Sequence, residues 1–391
     1  MLTLSYPNYE IVIINDGSTD ATLQQLIDTY EMMPVDHIPI NDLDTKEIIA
    51  IYKSRHKSFG KLTVIDKENG GKSDALNAGI NICLNEIICC IDVDCVLEHD
   101  ALLKLVKPFL NNDKKVIASG GIIRIANSCV VEDGKITEIC LPDKFIARVQ
   151  ILEYFRAFLM GRMAWARLDG LLLISGAFGM FDKKTVLEAG GYSTKTVGED
   201  MELLVRMRRM MQERKEEYIV GFVPNPLCWT EVPQTLKVLY RQRNRWTRGT
   251  IETLWTHRKM LFNPKYKVLG LLSTPYWLFF EWMAPLIEFI GFVFIVVLVA
   301  LGELHWIVFL SFFLVAYTFS VLYSITAIFF EEYSFQQYKK PKDILVLIGT
   351  ALIEPLFYHP YVMWCSVRGN YDLITGKRNW GVMHRRGFKK K

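Results

Sequence analysis

Asp92 and Asp94 stand two apart in "CCIDVDCV", directly after the apolar run Glu86–Ile91. If that run is a strand that persists, positions i and i+2 share a face and the two carboxylates converge. Two carboxylates held together repel unless a cation sits between them. Mg²⁺ or Mn²⁺, hard ions that prefer oxygen, would neutralise the pair and bridge to a diphosphate. A solvated acidic turn has the same composition.

Four other segments carry comparable chemistry. "YPNYEIVIINDGSTD" is an apolar strand that breaks into a loop, where Asp16 would stand at the carboxyl edge of a sheet. There it is free to accept hydrogen bonds from a base or ribose, although a turn with Ser18 or Asp20 capping the next helix reads equally well. In "ENGGKSDALNAGI", Gly70-Gly71 allows close backbone approach and Lys72 opens a helix, a place suited to phosphate oxygens. The Walker spacing is absent. In "VGEDMELLVRM", Glu199 and Asp200 precede an amphipathic helix, either as favourable charges on its dipole or with Asp200 as a general base. In "YRQRNRWTRGT", Gln242, Arg245 and Trp246 fall on a predicted helix. Arginine can brace a diphosphate and tryptophan can stack on a sugar ring; an interfacial helix would use the same residues.

Residues 1 to about 230 alternate strand and helix candidates, which predicts an α/β fold with a mostly parallel sheet covered by helices on both faces. Strands are expected at Glu10–Ile14, Lys61–Ile65, Glu86–Ile91, Val116–Arg124, Leu171–Gly176 and Tyr218–Val223. Helices are expected at Ala21–Tyr30, Thr45–Lys53, Lys72–Leu84 and Ala101–Phe109. The composition then shifts: Phe279–Leu301, Trp306–Phe330 and Ile344–Val367 are long apolar stretches, each at or above the roughly 20 residues a span requires. Three full spans cannot return the tail to the side from which they start, so either one segment is expected to be interfacial or re-entrant or the Val268–Glu288 region folds back.

The 391 residues are 51% hydrophobic yet 23% charged, a mixture that suits a chain part soluble and part membrane-embedded. A net charge of +4 is too small and too dispersed to argue for nucleic acid. Basic residues do collect at Lys237–Lys259 and from Arg368 to Lys391, both beside apolar segments, which favours contact with anionic lipid headgroups. The eight cysteines lack zinc spacing and read as buried, reduced thiols of a cytosolic face.

Taken in order, the Asp16 loop, the Lys72 loop, Asp92-Val93-Asp94, Glu199-Asp200 and Gln242-Arg243-Asn244-Arg245-Trp246 resemble the membrane-integrated family 2 glycosyltransferases. Poly-N-acetylglucosamine, cellulose, chitin and hyaluronan synthases belong to that group. The resemblance covers nearly the whole chain. It implies a GT-A-like domain over residues 1–233, interfacial helices over 234–265, a transmembrane region over 266–367 and a basic cytosolic tail over 368–391. It further implies inverting, processive transfer from a UDP-sugar, with UDP-GlcNAc the best guess, to a β-linked exopolysaccharide.

The same resemblance distributes the roles. Asp200 would be the base. Asp16, Lys72, Asp92 and Arg245 would hold the donor, and Asp94 the Mg²⁺ or Mn²⁺. Glu199, Gln242, Trp246, Ser175 and Gly176 would face the acceptor. Expected partners are the UDP-sugar, the polysaccharide, membrane lipids and a small membrane subunit, with no nucleic acid. The expected location is the plasma membrane, multi-pass, with the catalytic half cytosolic. Trp380 in "GKRNWGVMHRRGF" would anchor the tail at the interface. Family members place a further strand before the Asp16 strand, so this chain reads as N-terminally truncated and is expected to bind UDP weakly by itself. A non-processive enzyme acting on a lipid acceptor, and an inactive truncated scaffold, are the competing readings.

Overall fold

The computed structural model describes residues 1–36 and 42–377, so Trp380 lies outside the described residues. The chain divides into two compact units that interleave along the sequence. One comprises 1–93, 97–121 and 172–227; the other comprises 94–96, 122–171 and 228–391.

The first unit is built on β1 (Ile11–Asp16), α1 (Thr22–Tyr30), β2 (Met32–Pro34), β3 (Ile48–Ser54), β4 (Leu62–Lys67), α2 (Lys72–Ile82) and β5 (Ile87–Ile91). It continues through β6 (Lys115–Ile125), β7 (Phe178–Asp182), α3 (Glu199–Arg214) and β8 (Tyr218–Thr230), of which β6 and β8 run on into the second unit. One sheet orders β1-β4-β3-β2; in the other, β5-β7-β6-β8 are successive neighbours. Val64 and Ile65 of β4 are fully buried, as are Leu203 and Leu204 of α3, so the predicted apolar runs are the core.

The alternating α/β pattern holds, while strand direction is mixed. β1 pairs with β4 in parallel, but β3 is antiparallel to β4, and β7 is antiparallel to both β5 and β6. Two of the predicted elements need correction. Thr45–Lys53 is not a helix: Ile48–Ser54 forms β3, because its β-branched and aromatic residues pack as a strand against β4. In Leu171–Gly176, Leu171, Leu172 and Ile174 are buried but the segment carries no ladder, and the strand there is β7, displaced toward the C-terminus.

The second unit contains α4 (Leu236–Thr256) and three helices long and apolar enough to cross a membrane: α5 (Leu269–Leu301), α6 (Trp306–Ser334) and α7 (Pro341–Ile374). None of the apolar window of α5 is buried within the protein, whereas 28% of the window in α7 is. α7 carries Pro355 and Pro360 in its interior and packs along α4. All eight cysteines are free thiols, four of them buried.

Candidate functional site

β1 and β4 run side by side with Asp16 opposite Lys67, so their side chains meet at the carboxyl edge of the sheet. Lys67 is fully buried, and its ammonium donates to Asp16 Oδ1 at 2.8 Å, Asp74 Oδ1 at 2.6 Å and the Glu68 carbonyl at 2.5 Å. Burial alone would lower its pKa, but Asp16 and Asp74 outweigh burial and raise it. Asp16 completes the arrangement, with Oδ1 accepting from Gly70 N–H at 2.9 Å and Oδ2 from Gly71 N–H at 2.8 Å. The turn 68–71 is therefore tied to a charged hub before α2 begins. Gly70 has no alternative here, since a Cβ would lie 2.4 Å from the Asp74 carboxylate. Gly71 takes φ +84°, a region that side chains disfavour.

This turn presents Lys72 at the first position of α2. Its ammonium lies 2.7 Å from Asp92 Oδ1 and 3.1 Å from Glu199 Oε1. Burial works against the charge, yet the carboxylates of Glu199, Asp92 and Asp200 hold its pKa well above the ordinary lysine value. Asp200, in the first turn of α3, accepts from Gly176 N–H at 3.0 Å through Oδ2 and from Met201 N–H at 2.8 Å through Oδ1. Any Cβ at Gly176 would sit 3.1 Å from Lys72 Nζ and 3.2 Å from Asp200 Oδ2. Lys72, Asp92, Gly176, Glu199 and Asp200 thus form one cluster. Asp16 is tied into the neighbouring hub, and Ser175 leads into the Gly176 turn, with its Oγ accepting from Ala177 N–H at 3.4 Å.

Asn77, which the sequence reading passed over, secures α3 from behind. Buried within α2, it donates to the Tyr192 carbonyl at 2.9 Å and accepts from Tyr192 N–H at 2.7 Å. Its amide copies a strand pairing and holds the loop that leads into Glu199. Asn81, one turn later, does the same for Leu43. An asparagine repeated at i and i+4 on the inner face of a helix is the signal that was available.

The other unit carries the remaining predicted residues. Gln242, Arg245 and Trp246 lie on α4; Trp246 is 41% exposed, and Gln242 Oε1 is buried without a hydrogen-bond partner among the described residues. The central arginine of the motif, Arg243, is structural. It is buried, lies 2.5 Å from Glu153 Oε2, donates to Tyr358 Oη at 3.0 Å, and supports the Trp246 ring at 4.3 Å. Asp94 belongs to this unit, and Cys95 Sγ lies 3.8 Å from its Oδ1.

The carboxylate cluster suits a cation, because the Lys72 ammonium already occupies such a place between Asp92 and Glu199. Its oxygens match the preference of Mg²⁺ or Mn²⁺. Among the described residues no three His, Cys, Asp or Glu side chains converge into a complete metal site. An ion here would need further oxygens, such as those of a diphosphate.

A family model described as "Glycosyl transferase family group 2" matches residues 87–330, well over half of the chain. The protein belongs to this family. The poly-beta-1,6-N-acetyl-D-glucosamine synthase of Staphylococcus epidermidis is 29% identical over 255 residues, which are 65% of this chain and 50% of that protein. The protein of the same name from Staphylococcus aureus strain COL is 28% identical over 257 residues, with the same coverage. The chain therefore spans about half the length of the curated relatives it matches. Its fold is that of a solved mannosyltransferase, PcManGT from Pyrobaculum calidifontis in complex with GDP-Man and Mn²⁺. The two share a TM-score of 0.52 at 14% identity, covering 96% of this chain and 81% of that one. The GT-A-like α/β fold followed by apolar helices is thereby established.

Proposed function

We propose that this chain transfers a sugar from a UDP-sugar, with inversion, onto a growing β-linked polysaccharide at a membrane. The observation that carries this reading is the cluster in which Lys72 stands among Asp92, Glu199 and Asp200. UDP-GlcNAc is the donor of choice, because the relatives are named as synthases of poly-N-acetyl-D-glucosamine.

Asp200 is the general base. Two backbone N–H groups fix its carboxylate, which takes the acceptor hydroxyl proton as that oxygen attacks the anomeric carbon. Lys72 exchanges its carboxylate partners for diphosphate oxygens, so donor binding frees Asp92 and Glu199. Asp16 positions the 68–71 turn beside the nucleoside, and Arg245 steadies the diphosphate. Asp94 would hold a divalent ion, which when bound would supply charge neutralisation to the departing UDP. Trp246 offers a stacking face to the acceptor, and Gln242 Oε1 and Ser175 offer hydrogen-bond acceptors. The lysines at 339 and 340 support reading the α6–α7 connection, and with it the catalytic half, as cytosolic at the plasma membrane, in a multi-pass arrangement. A small membrane subunit remains a proposed partner.

Membranes containing the full chain, supplied separately with labelled UDP-GlcNAc, UDP-Glc and UDP-GlcA, test the reading. Polymer from UDP-GlcNAc alone is expected. A singly glycosylated lipid would replace processive synthesis with single transfer, and no incorporation from any donor would overturn the proposal.

A further inference from the structure

From Thr253 to Phe280 the sequence contains four lysines and arginines and no aspartate or glutamate over 28 residues. The fold turns this stretch into a two-sided surface. His257, Met260 and Tyr266 point inward and are buried, while Asn263 caps the turn Pro264–Tyr266 through Lys265 N–H. What remains outward is Arg258, Lys259, Lys265 and Lys267, interleaved with Trp255 at 70% exposure and Phe262 at 58%. Arg258 lies over the Trp255 ring at 5.2 Å and donates to its carbonyl at 3.0 Å, so charge and aromatic face are presented together.

This surface leads without a break into α5, whose apolar window has no residue buried within the protein. The basic run expected to touch lipid, Lys237–Lys259, serves this purpose less well, because Arg243 and Arg248 within it are buried.

We infer that the 255–267 surface is a headgroup-binding collar for anionic phospholipid. Its cations pair with lipid phosphates, and Trp255 and Phe262 enter the interface at the root of α5. Charge complementarity and continuity with an apolar helix select lipid over other occupants. The assignment does not depend on which sugar the protein transfers.

The test uses the purified full chain in bilayers of phosphatidylcholine mixed with phosphatidylglycerol, with brominated acyl chains on one lipid at a time. The Trp255 signal is the emission of the wild type minus that of Trp255→Phe. Brominated phosphatidylglycerol is expected to quench it more strongly than brominated phosphatidylcholine at equal mole fraction. The exposed-surface variant Lys259→Gln/Lys265→Gln/Lys267→Gln is expected to lose that preference by about ten-fold or more, since each cation near an anionic surface contributes roughly five-fold. Equal quenching by both lipids, or a preference that survives the substitutions, would overturn the inference. So would loss of the preference to inorganic phosphate at constant ionic strength, which would assign the patch to free anions. Absence of any quenching would equally refute the collar.

Discussion

Lys67→Met is expected to destabilise the first unit by roughly 3 kcal/mol, because it leaves two carboxylates without their shared cation. The Lys67 side chain is fully buried, and Asp74 is 9% and Asp16 20% exposed. The partial exposure of Asp16 places the effect at the low end of what breaking a buried pair costs. The damage also reaches the site, since Asp16 holds the Gly70 and Gly71 N–H groups that set the position of Lys72. UDP affinity should therefore fall together with stability. In chemical denaturation, Lys67→Met/Asp74→Asn should recover part of the loss, as expected for residues in one network. A change under 0.5 kcal/mol with unaltered UDP binding would mean that the hub positions nothing.

Arg156→Met is expected to cost about 3–5 kcal/mol in the second unit. Arg156 grips Glu354 of α7 with both terminal nitrogens, at 2.5 and 2.8 Å, and also donates to Ser324 of α6. Ser324 Oγ in turn lies 3.3 Å from Glu354 Oε2. Glu354 is 5% exposed within an apolar helix, so removing the arginine strands a buried charge. Arg156→Met/Glu354→Leu should return close to wild-type stability, because an apolar pair of similar volume avoids desolvation altogether. Thermal unfolding of the chain in lipid discs measures both. A double variant as unstable as the single one would show that the pair is valued for geometry, not for charge compensation.

The sequence makes legible the features that repeat locally. Apolar runs ending in Asp16 and Asp92 mark two strand ends, and β1, β4, β5, β6 and β8 lie close to their expected places. The three apolar helices follow from length and hydropathy. Errors arise where a local pattern serves two masters. Thr45–Lys53 has apolar spacing compatible with a helix, but its neighbour β4 decides for a strand. Lys67, Asn77 and Arg243 go unrecognised because each acts through a partner distant in sequence: Asp16, Tyr192 and Glu153. Lysine after a strand, asparagine in a helix and arginine in a basic run look ordinary until those partners arrive. Of the residues singled out by type and spacing, Lys72, Asp92, Gly176, Glu199 and Asp200 do come together, while Asp16 proves to be bound into a hub with Lys67.

The central claim is that this carboxylate cluster performs glycosyl transfer with Asp200 as base. The most direct measurement is the initial rate of sugar incorporation from labelled UDP-GlcNAc by the full chain in lipid, wild type against Asp200→Asn, with UDP affinity measured in parallel. The substitution preserves size and an oxygen for the Gly176 N–H, so UDP affinity and stability should change little. Turnover should fall by about 10²–10⁴. A variant that turns over near the wild-type rate would contradict the account.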